Sequence, residues 1–337
     1  MHMDHKKKNH FTVAQIFHSV IAQGAAFSDD ITSRHYPIDF SKIMLIRAES
    51  TKAKSLWNKV VAKYHYLGYT GTVGRYIRYF ICDCSKLPEF SSENDAHHEF
   101  HEYINQYTTR ELNEFLNFRK VEDFSEFNIS DISKSQIGAL LRFRWLFEKN
   151  NIKSTKEKRD FFLPILGCIS AGSATYSCSP RDFLLGIHEL QRRERDKYLK
   201  YVANNWRFLI LGHWHNLASF VLSKFSKVLQ HDWIKRYDNP LVAIESFIVK
   251  NRFDGRSYIA NRWLKIGETM GYSKSGSISK NRLSVYSHGE KKYIYIKLLS
   301  KFSTNNDPIL IDIKRRNKRI MQYVKKTNTL SDILDLL

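Results

Sequence analysis

Three neighbouring stretches decide the fold: YVANNWRFLIL (201–211), NLASFVLSKFSKVLQ (216–230) and LVAIESFIV (241–249). The first and third are short, rich in aliphatic and aromatic residues, and bounded by Gly, Asn or Pro, as strands are. The second is amphipathic at helical spacing. Further out, RYIRYFICDC (75–84) alternates as a strand with Tyr76, Arg78, Phe80 and Cys82 on one face. FFLPILGCISA (161–171) reads as the strand that returns beside it, and KKYIYIKLL (291–299) as the last strand. Ser41–Arg47 carries an apolar run. Helical patterns cover 11–26, where Val13, Ile16, Phe17 and Val20 form a stripe, and 52–66, which Gly68 can terminate. A charged helix is expected within 182–200 and a short one at 257–265. The pattern predicts an α/β (α+β) fold with a single mixed central sheet flanked by helices.

Composition marks out the organisation. Lys plus Arg total 54 against 34 Asp plus Glu, a net charge of +20. Between Lys86 and Phe127, however, ten acidic residues face four basic ones. That segment is net −6, so the rest of the chain carries +26. We read 1–50 as an N-terminal helical extension, 51–85 with 159–300 as the core domain, 86–158 as an acidic helical insertion, and 301–337 as a basic C-terminal tail or helix. The last piece includes IKRRNKRIMQYVKK (313–326), seven of whose residues are basic, with Ile313, Ile320, Met321 and Val324 available as an apolar stripe. A cationic surplus of this size attracts polyanions, of which nucleic acid is the commonest in a cytoplasm. Met1–His10 is charged and lacks the apolar run of a secretion signal, so a cytoplasmic protein is expected. The insertion, repelled by phosphate, suits protein docking instead.

Candidate phosphate-binding cations are Arg192, Arg193, Arg195, Lys197 and Lys200 on the charged helix, Arg207, Arg252, Arg256 and Arg262 in the core, and Lys314, Arg315, Arg316, Lys318 and Arg319 near the C-terminus. Candidates for chemistry are Glu245, Asp182 and His65. Glu245 lies inside an apolar run, where a carboxylate needs a partner. Asp182 follows Arg181, and the two can orient each other or Asp182 can serve the first turn of a helix. His65 sits between tyrosines at a helix end, suited to stacking, to general base work or simply to a packed capping loop. Asn204 and Asn205 need partners among apolar neighbours.

His213 and His215 make an H-x-H that Glu245 could complete as a metal site. A salt bridge to Glu245 from Arg252, Arg256 or Arg262 is the preferred reading, and no metal site is assigned. His97 and His101, one helical turn apart beside His98, read as a solvated face. Cys82, Cys84, Cys168 and Cys178 lack zinc spacing and read as reduced core residues. No cofactor is assigned; Mg²⁺ enters only if the chain is a nuclease.

Seven segments in order carry a resemblance: WNKVVAKYHYLGY (57–69), VGRYIRYFI (73–81), LGCISAGSATYSCSPRDFLLG (166–186), VANNWRFLILGHWHNLASFVLS (202–223), PLVAIESFIVKNRFDGRSY (240–258), LKIGETMGYSK (264–274) and KKYIYIKLL (291–299). Together they resemble the domain that defines the DruA family of the Druantia anti-phage defence system. The resemblance implies a defence role in a multi-subunit complex with a helicase-like protein, and supplies no chemistry for this subunit. More weakly, the order strand, helix, strand and short helix is similar to the later half of acetyltransferase-like (GNAT) folds. The turn 211–217 lacks the glycine pattern that cradles a cofactor pyrophosphate. Two functions follow as expectations: a nucleic-acid-binding subunit, with DNA the favoured partner and no chemistry of its own, or an enzyme on nucleic acid, either a metal-dependent nuclease or a GNAT-like base modifier.

Overall fold

Ile43–Arg47 (β1) opens a mixed sheet whose strands are Tyr76–Asp83 (β2), Ile165–Ser173 (β3), Val202–Ile210 (β4), Ala243–Val249 (β5), Leu264–Glu268 (β6) and Lys292–Leu298 (β9). The sheet order is β1-β2-β3-β4-β5-β9-β6, and Tyr272–Lys274 (β7) and Val285–Ser287 (β8) form a separate hairpin. The helices are Thr51–Tyr64 (α1), Ser179–Leu185 (α2), Arg192–Leu199 (α3), Leu217–Tyr237 (α4), Arg256–Ala260 (α5) and Pro308–Val324 (α6). The computed structural model describes residues 37–49, 51–71, 74–83, 102, 165–274, 285–287 and 290–324. The expected helix at 11–26, the acidic insertion apart from Glu102, the histidines at 97, 98 and 101, Cys84 and residues beyond 324 lie outside them. No described helix is long and apolar enough to cross a membrane.

The chain divides into two units. One comprises Met1–Tyr69, Arg78–Cys168 and Leu209–His213. Here β1 pairs antiparallel with β2, from Ile43↔Asp83 to Arg47↔Tyr79. Helix α1 buries Ala53, Trp57, Val60 and Val61, spaced to fall on one face. The Trp57 indole N–H donates to the Tyr79 carbonyl at 3.0 Å, which satisfies its one polar atom inside the core. Gly167 must be glycine for a local reason. A Cβ there would come within 2.1 Å of the Leu209 carbonyl oxygen.

The second unit comprises Thr70–Ile77, Ile169–Phe208 and Trp214–Leu337. β4 and β5 are parallel, an arrangement that requires a crossover, and α4 supplies it. α4 buries Leu217, Val221, Leu222, Phe225, Leu229 and Trp233. It runs to Tyr237, seven residues past the end of the clear amphipathic pattern at Gln230, and stops where Asp238 turns left-handed (φ 53°). β5 and β9 pair antiparallel along their lengths, and β9 also carries β6. Leu184, Leu185, Ile187, Val202, Ala243, Leu264, Ile296 and Leu298 share one apolar cluster with Leu310, Ile313 and Ile320 of α6.

The C-terminal basic segment, to Val324, is therefore a helix seated in the core by its apolar face. Asn317 fixes it. Its side chain is fully buried and its Nδ2 donates to the carbonyls of Val242 (2.9 Å) and Leu299 (2.5 Å). Asn317→Ala removes both bonds and leaves a void, so the unfolding free energy in urea is expected to fall by about 1–3 kcal/mol. An unchanged urea midpoint would refute this pinning role.

The charged stretch 182–200 is two helices rather than one. Gly186 adopts the left-handed conformation (φ 70°) at the end of α2, and its amide and that of Ile187 close the last turn. α3 then starts afresh at Arg192. The short helix expected at 257–265 ends at Ala260. β6 follows it, a strand interrupted by a register shift between Lys265 and Gly267.

Candidate nucleic-acid interface

α3 and α6 both pack on the apolar cluster of the second unit. Tyr198 and Leu199 of α3 lie against it, and Leu310, Ile313 and Ile320 of α6 belong to it. The Tyr198 hydroxyl reaches Asp307, just before α6, at 3.5 Å. With their apolar sides inward, the two helices turn Arg192, Arg193, Lys197, Lys200, Arg315, Lys318 and Arg319 to solvent. Lys197 pairs with Glu194 at 2.7 Å and Arg316 with Asp312 at 2.7 Å. Lys314 donates to the Phe302 carbonyl. Arg193, Lys200, Arg315, Lys318 and Arg319 form no ion pair among the described residues. Their charge is left to act outward.

Beneath α3 lies a buried ionic network. Arg181 is 0% exposed, Glu245 0% and Asp182 2%. Arg181 Nη1 donates to Glu245 Oε2 at 2.8 Å and Nε to Asp182 Oδ1 at 2.8 Å. The Thr175 amide donates to Glu245 Oε1 at 2.6 Å, and Arg181 returns a bond to the Thr175 carbonyl at 2.7 Å. Arg195 of α3 approaches the other Asp182 oxygen at 3.6 Å, and Asn204 donates to the Thr175 hydroxyl. One arginine thus joins β5, α2 and the loop after β3. Asp182 hands the connection on to α3. Burial raises the Glu245 carboxyl above its ordinary pKa, against the pull of Arg181 and the Thr175 amide. Burial works against the Arg181 charge too, but Glu245 and Asp182 outweigh it and hold the guanidinium above its ordinary value.

The partner of Glu245 is therefore Arg181, not Arg252, Arg256 or Arg262. Arg256 pairs with Asp254 at 2.8 Å, and Arg252 and Arg262 are exposed. Among the described residues no group of three His, Cys, Asp or Glu gathers as a metal site would require. Cys82, Cys168 and Cys178 are buried free thiols, and burial pushes Cys178 up to about 11.

The other candidates have different surroundings. His65, in the first unit, accepts the Leu67 amide on Nδ1 at 3.2 Å and stacks on Tyr66 at 4.7 Å, closing the end of α1. In the second unit Asn205 donates to the Tyr258 hydroxyl at 3.1 Å, and Ser246 donates to the same oxygen at 3.2 Å. Arg207 is buried with its guanidinium 3.9 Å from the Trp206 ring centroid. Arg262 belongs to a second basic group. Burial first, then the charges of Arg262 and Lys227, lower the pKa of Lys297.

Sequence reasoning missed Tyr176. Its hydroxyl accepts from Arg192 Nε and donates to Asp196 Oδ2 at 2.8 Å, and the Arg192 guanidinium lies 4.9 Å from its ring centroid. That hydroxyl is the main reason Arg192 is held above its ordinary pKa. The only signal in the sequence was an aromatic residue in a Ser-rich turn before Pro180.

No curated protein matches the chain. Residues 157–289 match the family model described as Druantia protein DruA. The matched stretch contains the ionic network and α3, and stops before β9 and α6. This region is therefore similar to the DruA family, whose description is that of a component of Druantia anti-phage defence.

Proposed function

We propose that the chain is a nucleic-acid-binding subunit of a cytoplasmic Druantia complex, gripping the phosphate backbone with the α3–α6 surface while other subunits, a helicase-like protein among them, supply the work on nucleic acid. DNA is the favoured partner. The observation that carries this reading is the outward row of cations on α3 and α6, five of which lack an internal carboxylate partner among the described residues. Backbone contacts of this kind position nucleic acid without reading its sequence. The acidic insertion, 86–158, is then the face for another protein subunit.

The test is DNA affinity against salt. A steep linear fall of log K with log salt is expected, because each neutralised phosphate releases counterions. No binding at low ionic strength rejects the reading.

A second reading, an enzyme that modifies nucleic acid, is favoured by one feature. The parallel β4–β5 ladder covers only Val202↔Ala243 to Asn204↔Glu245, while both strands run on past it. A parallel pair that is joined over only part of its length is in keeping with the acetyltransferase-like resemblance. A Mg²⁺-dependent nuclease is less well supported, since Asp182 and Glu245 are both engaged by Arg181.

A further inference from the structure

The segment 174–200 presents aromatic rings as well as charge. Tyr176 is 44% and Phe183 43% exposed, and the His188 side chain 39%. Phe183 stands outward because the other side of α2, Arg181, Asp182, Leu184 and Leu185, is buried. After the left-handed turn at Gly186 the chain brings His188 back beside it, with ring centroids 4.7 Å apart and planes at 48°. Tyr176 is braced by Arg192 and Asp196 on α3. Two half-exposed rings, Tyr176 with the Arg192 guanidinium over it and Phe183 with His188 tilted beside it, thus sit in the same short segment as Arg192, Arg193, Lys197 and Lys200.

We infer that this segment is a stacking platform for single-stranded nucleic acid, with Tyr176 and Phe183 receiving unpaired bases and the α3 cations tracking the adjoining phosphates. The inference rests on the nucleic-acid reading above and narrows its substrate. Only unstacked bases offer their faces to an aromatic ring, so a duplex would touch the cations alone. The occupant is argued from charge: an apolar protein partner would have to desolvate four neighbouring cations, whereas a single strand supplies phosphates for them and bases for the rings.

The test uses the full chain and two labelled probes, an oligothymidylate of about 15 nucleotides and a duplex of equal length. The double variant Tyr176→Ser, Phe183→Ser is expected to weaken single-strand binding by about tenfold or more. Duplex affinity and the salt slope for both probes should hold, because no cation is removed. Tyr176→Phe with Phe183→Tyr keeps both rings and should bind the single strand as the parent does. This separates stacking from damage to the loop. Equal losses on both probes, or no loss on either, overturn the platform while leaving nucleic-acid binding intact. Failure of the parent chain to bind either probe overturns both readings together.

Discussion

Arg181→Met is expected to cost about 3–5 kcal/mol of folding stability, because it strips two buried carboxylates of their shared partner. Arg181 is wholly buried and bonds Glu245, Asp182 and the Thr175 carbonyl at once. Methionine fills much of the volume but leaves the Glu245 carboxylate with only the neutral Thr175 amide and hydroxyl, and Asp182 with the longer 3.6 Å contact to Arg195. A buried charge without its partner bears its full desolvation cost, which a surface pair would not. Glu245→Gln should be milder, since Arg181 keeps Asp182 and the amide can still accept from Thr175. Adding Glu245→Gln to Arg181→Met should recover part of the loss, because it removes the orphaned charge. Urea unfolding followed by circular dichroism measures all three. If Arg181→Met leaves stability within about 0.5 kcal/mol of the parent, the network is not structural. If instead Glu245→Gln abolishes phage protection while stability, expression and DNA binding are unchanged, the carboxylate does chemistry.

This network also marks where sequence reasoning stops. LVAIESFIV announced a buried carboxylate in need of a partner, and β5 puts Glu245 at 0% exposure. The partner stands 64 residues earlier, and no periodicity links the two positions. Three nearer arginines were the natural candidates. The strand–helix–strand at 201–249 was readable because each element has a distinct apolar period. The order of the sheet was not, because β9 inserts between β5 and β6 through pairing that depends on the whole fold. β6 went unread for a local reason: Leu264–Glu268 is short and holds Gly267 at a register shift. The break between α2 and α3 was visible in principle as Gly186, but charge across 182–200 masked it. The basic residues themselves were legible from composition. That α3 and α6, more than 100 residues apart in the chain, lie on one apolar cluster was not.

That convergence makes the second large effect a statement about place rather than charge count. Replacing Arg193, Arg315 and Arg319 together with glutamine removes three exposed cations from the α3–α6 surface. Each cation that contacts a phosphate contributes about 0.9 to the slope of log K against log salt on duplex DNA and about 0.7 on a single strand. The triple variant should therefore show a slope shallower by about 2–3, and an affinity at low salt reduced by about tenfold or more. The matched control replaces Lys235, Arg236 and Lys291, all exposed and none on α3 or α6. It lowers net charge by the same three units and should change slope and affinity little. Glutamine keeps much of the length of the side chains, and none of the six is buried, so stability should hold in both variants. If the two triples weaken binding equally, the chain attracts DNA through its overall charge of +20, and no surface is specialised for it. A loss confined to the first triple means that the packing of α3 and α6 on a shared core is what turns a basic composition into a binding face.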